Sequence, residues 1–180
     1  RIAIPGKLTT AFLLLQLYDP AISSQQSACS APLSTIIEMP FNKIIEAVAN
    51  EDADAGLIIH ESRFTYPSYG LKQIIDLGEW WEQETGMPIP LGCIIGKKSM
   101  GNDLINQING LIRQSVEYAF NNRSESMDYI KQHSQELSDP AIDQHINLYV
   151  NNYSLDIGDD GEQAVNELLL RADEAGIIRK

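Results

Sequence analysis

Cysteine is scarce in this chain of 180 residues: only Cys29 and Cys93 occur, far apart and in no CxxC pair. That excludes a disulfide framework and a cysteine-knuckle metal site, and it reads as two reduced thiols of a cytosolic protein. Basic residues are also few. Thirteen Lys and Arg stand against 25 Asp and Glu, a net charge of −12. The densest basic spot is Lys97-Lys98, and so acidic a chain is repelled by nucleic-acid phosphate and by anionic membranes. No apolar run approaches the roughly 18 residues that span a bilayer, and no secretory signal peptide is visible. Internal repeats and low-complexity tracts are missing. The three histidines, His60, His133 and His145, show no HExxH or related spacing, so no metal site is expected. The "DIGDDGE" stretch is too short for a calcium loop and reads as a helix start. No Ser-His-Asp or Cys-His arrangement can be argued from spacing. The triplets "NRS" and "NYS" match the glycosylation pattern, which means little in a cytosolic chain.

What is present is the composition of a globular protein, 43% hydrophobic, at a length that supports one ordinary domain with a real core. Strand and helix patterns alternate through Lys98. "RIAIPG" is a short strand, and "KLTTAFLLLQLYD" a helix with Thr9 or Thr10 in its first turn and Pro20 just past its end. "STIIEM" is a second strand. "PFNKIIEAVANEDA" is an amphipathic helix with Phe41, Ile44, Ile45 and Val48 at helical spacing. "AGLIIH" is a third strand, apolar throughout and so expected to be buried on both faces. "LKQIIDLG" reads as a fourth strand, "EWWEQETG" as a short helix closed by Gly86, and "PIPLGCIIGKK" as a fifth extended run. Alternation of this kind predicts an α/β layer on a mostly parallel sheet. After Gly101 the pattern is purely helical. A long helix carries Leu104, Ile108, Leu111, Ile112, Ser115 and Ala119 on one face. A shorter one starts near Ser124. A third is capped by Ser138 or Asp139 with Pro140 in its first turn, and a fourth ends at Gly176. The chain opens at Arg1 in what reads as a strand already in progress. The expectation is therefore a fragment whose upstream part would bury the surplus helical faces.

Two places carry chemistry. His60 stands at the carboxyl end of the third strand, on the side of Ile58 and opposite Glu61. Ligands of open α/β sheets bind outside those strand ends, and an imidazole titrating near neutrality is placed there to take or give a proton. The bland alternative is a strand cap bonded to a loop. "GKLTTA" follows the first strand and opens the first helix, where backbone N–H groups and the Thr9 and Thr10 hydroxyls favour an anion. Ordinary helix capping is its alternative. The single Gly6 makes neither a P-loop nor a GxGxxG, so a carboxylate suits the place better than a nucleotide phosphate. Arg63, Tyr66 and Tyr69 populate the loop after His60 and either touch a ligand or shape that loop. Of Trp80 and Trp81, one is expected in the core.

The segments "IPGKLTTA", "AGLIIHESRFTYPSYGL", "DLGEWWEQETGMPIPLG" and "QELSDPAIDQHINLYVNNYSLDIGDDGEQAV" closely resemble the 1,4-dihydroxy-6-naphthoate synthases (MqnD family) of the futalosine route to menaquinone. The resemblance implies an α/β fold of periplasmic-binding-protein type II architecture. Residues 1–98 would be the second lobe, a mixed, mostly parallel sheet with flanking helices, a cleft-facing site and a return strand. Residues 99–180 would be a helical segment packed on the first lobe, most of which is missing. The activity implied is a cytoplasmic carbon–carbon lyase that converts cyclic dehypoxanthinyl futalosine to 1,4-dihydroxy-6-naphthoate and a three-carbon sugar fragment, with no cofactor and no metal. His60 would be the proton acceptor, and Thr9 and Thr10 would line the substrate site. The partner implied is a small-molecule substrate, with no nucleic acid and no membrane; a homodimer is compatible with this. A solute-binding protein of the same fold and a chorismate dehydratase-like sister enzyme are the alternatives, the latter disfavoured by "HESRFTYPSYG".

Overall fold

The computed structural model describes residues 1–24, 34–60, 62–133 and 139–178. Cys29, Glu61 and Ser138 lie outside these described residues. Two compact units are formed, Arg1–Leu91 with Asp160–Lys180, and Gly92–Asp159. The division suggested by the sequence, 1–98 and 99–180, therefore differs in two ways. The break comes at Leu91, and the last helix belongs with the first unit.

The first unit is built on a three-stranded parallel sheet in the order β2-β1-β3, with β1 Ile2–Ile4, β2 Ile36–Glu38 and β3 Ala55–Gly56. Side chains of a strand alternate between faces, and here both faces are covered. Ile4 packs with Phe12 and Ile22, from α1 (Thr10–Tyr18) and α2 (Pro20–Ser24). Ala3 packs with Ile44 and Ala53 on the opposite face, beneath α3 (Ile44–Ala49). Gly56 allows α3 to lie this close, since a Cβ there would sit 2.5 Å from Ile44 Cγ2. Pro20 does follow the end of α1, but it opens α2, with its missing N–H at a position where none is needed.

The third strand is shorter than "AGLIIH" suggests. Leu57 N–H still bonds the Ala3 carbonyl at 2.8 Å, but residues 57–59 are only half-buried. The cause is β1, which stops at Pro5, a residue with no N–H to continue the ladder. The runs "LKQIIDLG" and "PIPLGCIIGKK" form no strand among the described residues. Pro88 and Pro90 remove ladder donors from the second run, and Leu91, Ile94 and Ile95 are exposed. Apolar patterning reports a capacity for pairing, and a strand also needs a neighbour.

Between them the short helix α4 (Ser62–Thr65) and a 3-10 turn (Tyr66–Tyr69) lead toward α5 (Leu77–Thr85). Asp76 caps α5 by accepting from the N–H groups of Gly78 and Glu79, and Gly86 ends it with φ of 66°. Trp81 is fully buried and donates its indole N–H to the Pro88 carbonyl at 3.2 Å.

The second unit is helical: α6 (Asn102–Asn121), α7 (Arg123–His133), α8 (Asp139–Tyr149) and α9 (Asn152–Leu155). The α7 helix starts at Arg123, one residue ahead of Ser124. No residue of α6 is buried; Leu104 and Leu111 on its apolar face are exposed. Polar ties join neighbouring elements instead. Tyr118 donates to Glu125 at 2.8 Å, Lys131 to Asp139 at 2.8 Å and Arg113 to the Leu155 carbonyl at 3.5 Å.

The closing helix α10 (Gly158–Glu174) buries Ala164, Leu168 and Ala172. Leu168 joins Leu14, Leu77 and Trp81 in one apolar cluster, while Arg171 lies over the Trp81 ring at 5.5 Å. The i, i+3/i+4 spacing of these residues makes one continuous face, which is why this helix returns to the first unit. Gly176 follows it with φ of 68°.

Candidate functional site

The carboxyl ends of three parallel strands define one rim of the first unit, the place where open α/β sheets bind ligands. Three segments leave it. Pro5 to Thr10 follow β1, Met39 to Lys43 follow β2, and Leu57 to His60 continue from β3.

His60 is exposed and has φ of +57°. Positive φ is uncommon for a residue with a Cβ, although histidine is among the types that tolerate it. It comes just before the chain enters α4. The His60 carbonyl then accepts from Arg63 N–H at 3.4 Å as α4 begins. The ring meets Phe41 edge-on, with centroids 5.0 Å apart and planes at 62°. Phe41 comes from the 3-10 turn Phe41–Lys43 that precedes α3. Two loops that leave the outer strands of the sheet thus touch across the end of the central one.

Thr9 is the N-cap of α1. Its hydroxyl accepts from Phe12 N–H at 3.2 Å and donates to the Gly6 carbonyl at 2.8 Å. Thr10 donates to the Leu91 carbonyl at 3.1 Å. A hydroxyl has one proton and two lone pairs. Both threonines give their proton to a backbone carbonyl, so what each hydroxyl offers an incoming group is acceptor capacity. An anion at this helix start would rely on backbone N–H groups. Glu38, exposed at the end of β2, approaches the same turn: a Cβ on Gly6 would lie 3.6 Å from its Oε1.

The loop after His60 is braced from within. Arg63 Nη2 donates to Asp76 Oδ2 at 2.6 Å, with Asp76 only 17% exposed. Because Asp76 Oδ1 caps α5, this ion pair fastens α4 to the start of that helix. Tyr66 donates to Gln73 at 3.3 Å, and Tyr69 is exposed. Arg63 and Tyr66 thus shape the loop in this structure. His145 and His133 lie on helices of the second unit, stacked near Tyr149 and Tyr129. Among the described residues no group of three or more His, Cys, Asp or Glu is placed to hold a metal ion. No described helix is long and apolar enough to cross a membrane.

Phe41 is the residue that sequence patterning misplaced. Its spacing to Ile44, Ile45 and Val48 marks it as one more apolar position of a helix face. The usable signal was position, since it stands just past the carboxyl end of β2, as His60 stands past β3.

A family model described as menaquinone biosynthesis matches residues 1–174. The 1,4-dihydroxy-6-naphthoate synthase of Thermus thermophilus is 44% identical over 177 residues, 98% of this chain and 61% of that protein. The enzyme of the same name from Streptomyces coelicolor is 41% identical, again over 98% of this chain and 61% of its own length. The chain thus spans 61% of the length of the curated relatives it matches. Among solved structures, the crystal structure of protein AF1704 from Archaeoglobus fulgidus superposes with a TM-score of 0.87 at 33% identity. That match covers 99% of this chain and 63% of the other.

Proposed function

Because the chain belongs to the menaquinone biosynthesis family, we propose that it forms the base-bearing part of a lyase converting cyclic dehypoxanthinyl futalosine to 1,4-dihydroxy-6-naphthoate. The observation that carries this reading is the 44% identity to a synthase of that name along 98% of the chain. The geometry of the rim supports it. His60 is exposed past the carboxyl end of β3, and α1 opens past the carboxyl end of the neighbouring strand β1.

In this reading the neutral imidazole of His60 takes the proton whose loss starts the fragmentation. The electron pair left behind drives cleavage to the naphthoate and a three-carbon sugar fragment. Neither a metal nor a cofactor takes part. Imidazole suits the step because it takes and gives protons readily. Thr9 and Thr10 accept hydrogen bonds from substrate hydroxyls, using the lone pairs their backbone bonds leave over. The same reading makes the first unit one lobe of a two-lobed, periplasmic-binding-protein-like enzyme that works in the cytoplasm. The rest of the length of the relatives then supplies the opposite wall, on which the helices of the second unit pack.

The test is turnover of cyclic dehypoxanthinyl futalosine by the full-length protein, alone and as His60→Ala. A positioned general base contributes about 10²–10⁴-fold. The variant should lose kcat by at least the lower figure while still binding the naphthoate product. Near-normal turnover would remove His60 from the mechanism.

A further inference from the structure

We propose that Phe41 is a positioning residue for His60: its ring holds the imidazole in the orientation that proton transfer needs. The inference rests on the base assignment above and extends it to a residue in the turn that follows a different strand of the sheet.

Both backbones are anchored to the same strand. Met39 N–H bonds the Ile4 carbonyl at 3.0 Å, Pro40 enters the turn with φ of −55°, and Lys43 N–H closes it on the Pro40 carbonyl at 2.9 Å. Ile44, next in the chain, is fully buried beneath β3. On the other side, Leu57 N–H holds the Ala3 carbonyl. The two residues therefore face one another from fixed positions. The His60 side chain itself is exposed. A base that must meet one C–H bond in one alignment loses rate for every unproductive rotamer. An edge-on aromatic contact selects among those rotamers without consuming a ring nitrogen, because ring quadrupoles favour that geometry.

Among the described residues, Phe41 belongs to none of the apolar clusters. The core on its face of the sheet is assembled from Ala3, Ile44 and Ala53, with Met39, Val48 and Ile58 around them, and Phe41 is not among them. The buried residues of the adjoining helix are Ile44, Ile45 and Ala47. A large aromatic placed outside the core and against the candidate base is explained by the contact it makes.

The experiment compares Phe41→Leu, Phe41→Met and Phe41→Tyr with His60→Ala, all in the full-length protein and checked for folding by circular dichroism. Two readouts are taken: kcat and KM for cyclic dehypoxanthinyl futalosine, and the NMR resonances of the His60 ring protons. Misplaced catalytic groups cost up to about 10²-fold. The two ringless variants should lose kcat about tenfold with KM little changed, and the His60 ring resonances should move as the Phe41 ring current disappears. Phe41→Tyr should keep both close to the parent protein. Unchanged His60 resonances in the ringless variants, or an unchanged kcat, overturns the proposal while leaving His60 as the base. Full activity in His60→Ala overturns the base assignment and this inference with it.

Discussion

At the scale of single residues, His60 holds a backbone conformation that a side chain resists. Positive φ costs an L-residue roughly 1–2 kcal/mol relative to the usual regions. Glycine escapes that cost but gives back roughly 0.4–1 kcal/mol through the greater freedom of its unfolded chain. At mid-range the balance favours glycine by about 0.8 kcal/mol. His60→Gly should therefore be more stable than His60→Ala by that amount, as read from urea midpoints of the full-length proteins, although both lack the imidazole. Equal midpoints, or a more stable alanine variant, would show that the positive φ is not held in solution. Strain of this kind collects where geometry serves chemistry. The sequence placed His60 at the end of a strand, whereas β3 ends at Gly56 and His60 stands four residues beyond it. The dihedral was not legible, because alternation along a strand says which side a residue faces and nothing about where the extended path stops. For Thr9 the hydroxyl geometry is that of a helix cap, the alternative that residue type and position had left open.

At the scale of elements, the contact between α3 and β3 sets the spacing of the two loops that meet at the rim. Gly56 is central to it, since the Cβ of any other residue would reach both Ile44 Cγ2 at 2.5 Å and Val48 Cγ2 at 3.0 Å. Ile44 is β-branched and fully buried, so it has little room to yield. Gly56→Ala should cost about 1–3 kcal/mol, the usual range for overpacking a tight site, seen as a lower midpoint in thermal or urea unfolding. A variant as stable as the parent would mean that α3 rides farther from the sheet than described. The helices themselves were readable from sequence. Thr9 before α1 and Gly86 after α5 are end signals with local causes, whereas Asp76, the cap of α5, was counted in the strand read over "LKQIIDLG". The strands were less so. "LKQIIDLG" and "PIPLGCIIGKK" carry the apolar content of strands, but pairing depends on a distant partner that no local pattern names. Likewise Phe41 sits in a 3-10 turn ahead of α3 and outside that helix.

At the scale of the whole molecule, the chain leaves its first unit at Leu91 and comes back to it through α10. Leu168, 6% exposed, is the apolar anchor of that return. Truncating such a residue to alanine costs about 2–5 kcal/mol. Leu168→Ala should lower the unfolding midpoint accordingly and loosen the environment of Trp81, visible in its fluorescence. An unperturbed Trp81 signal would contradict the shared cluster. The boundary inferred from sequence, near Lys98, followed the change from mixed to helical patterning. A compact unit is defined by burial instead, and the apolar face of α10 matches a cluster that begins with Leu14. In time as well as space, that arrangement orders events. Leu14, Leu77 and Trp81 leave the ribosome long before Leu168, and the whole helical second unit emerges in between. The earlier three residues wait with their apolar surface uncovered while local helices such as α6 are already able to form. The first unit is therefore most open to misassembly in the interval before α10 is made.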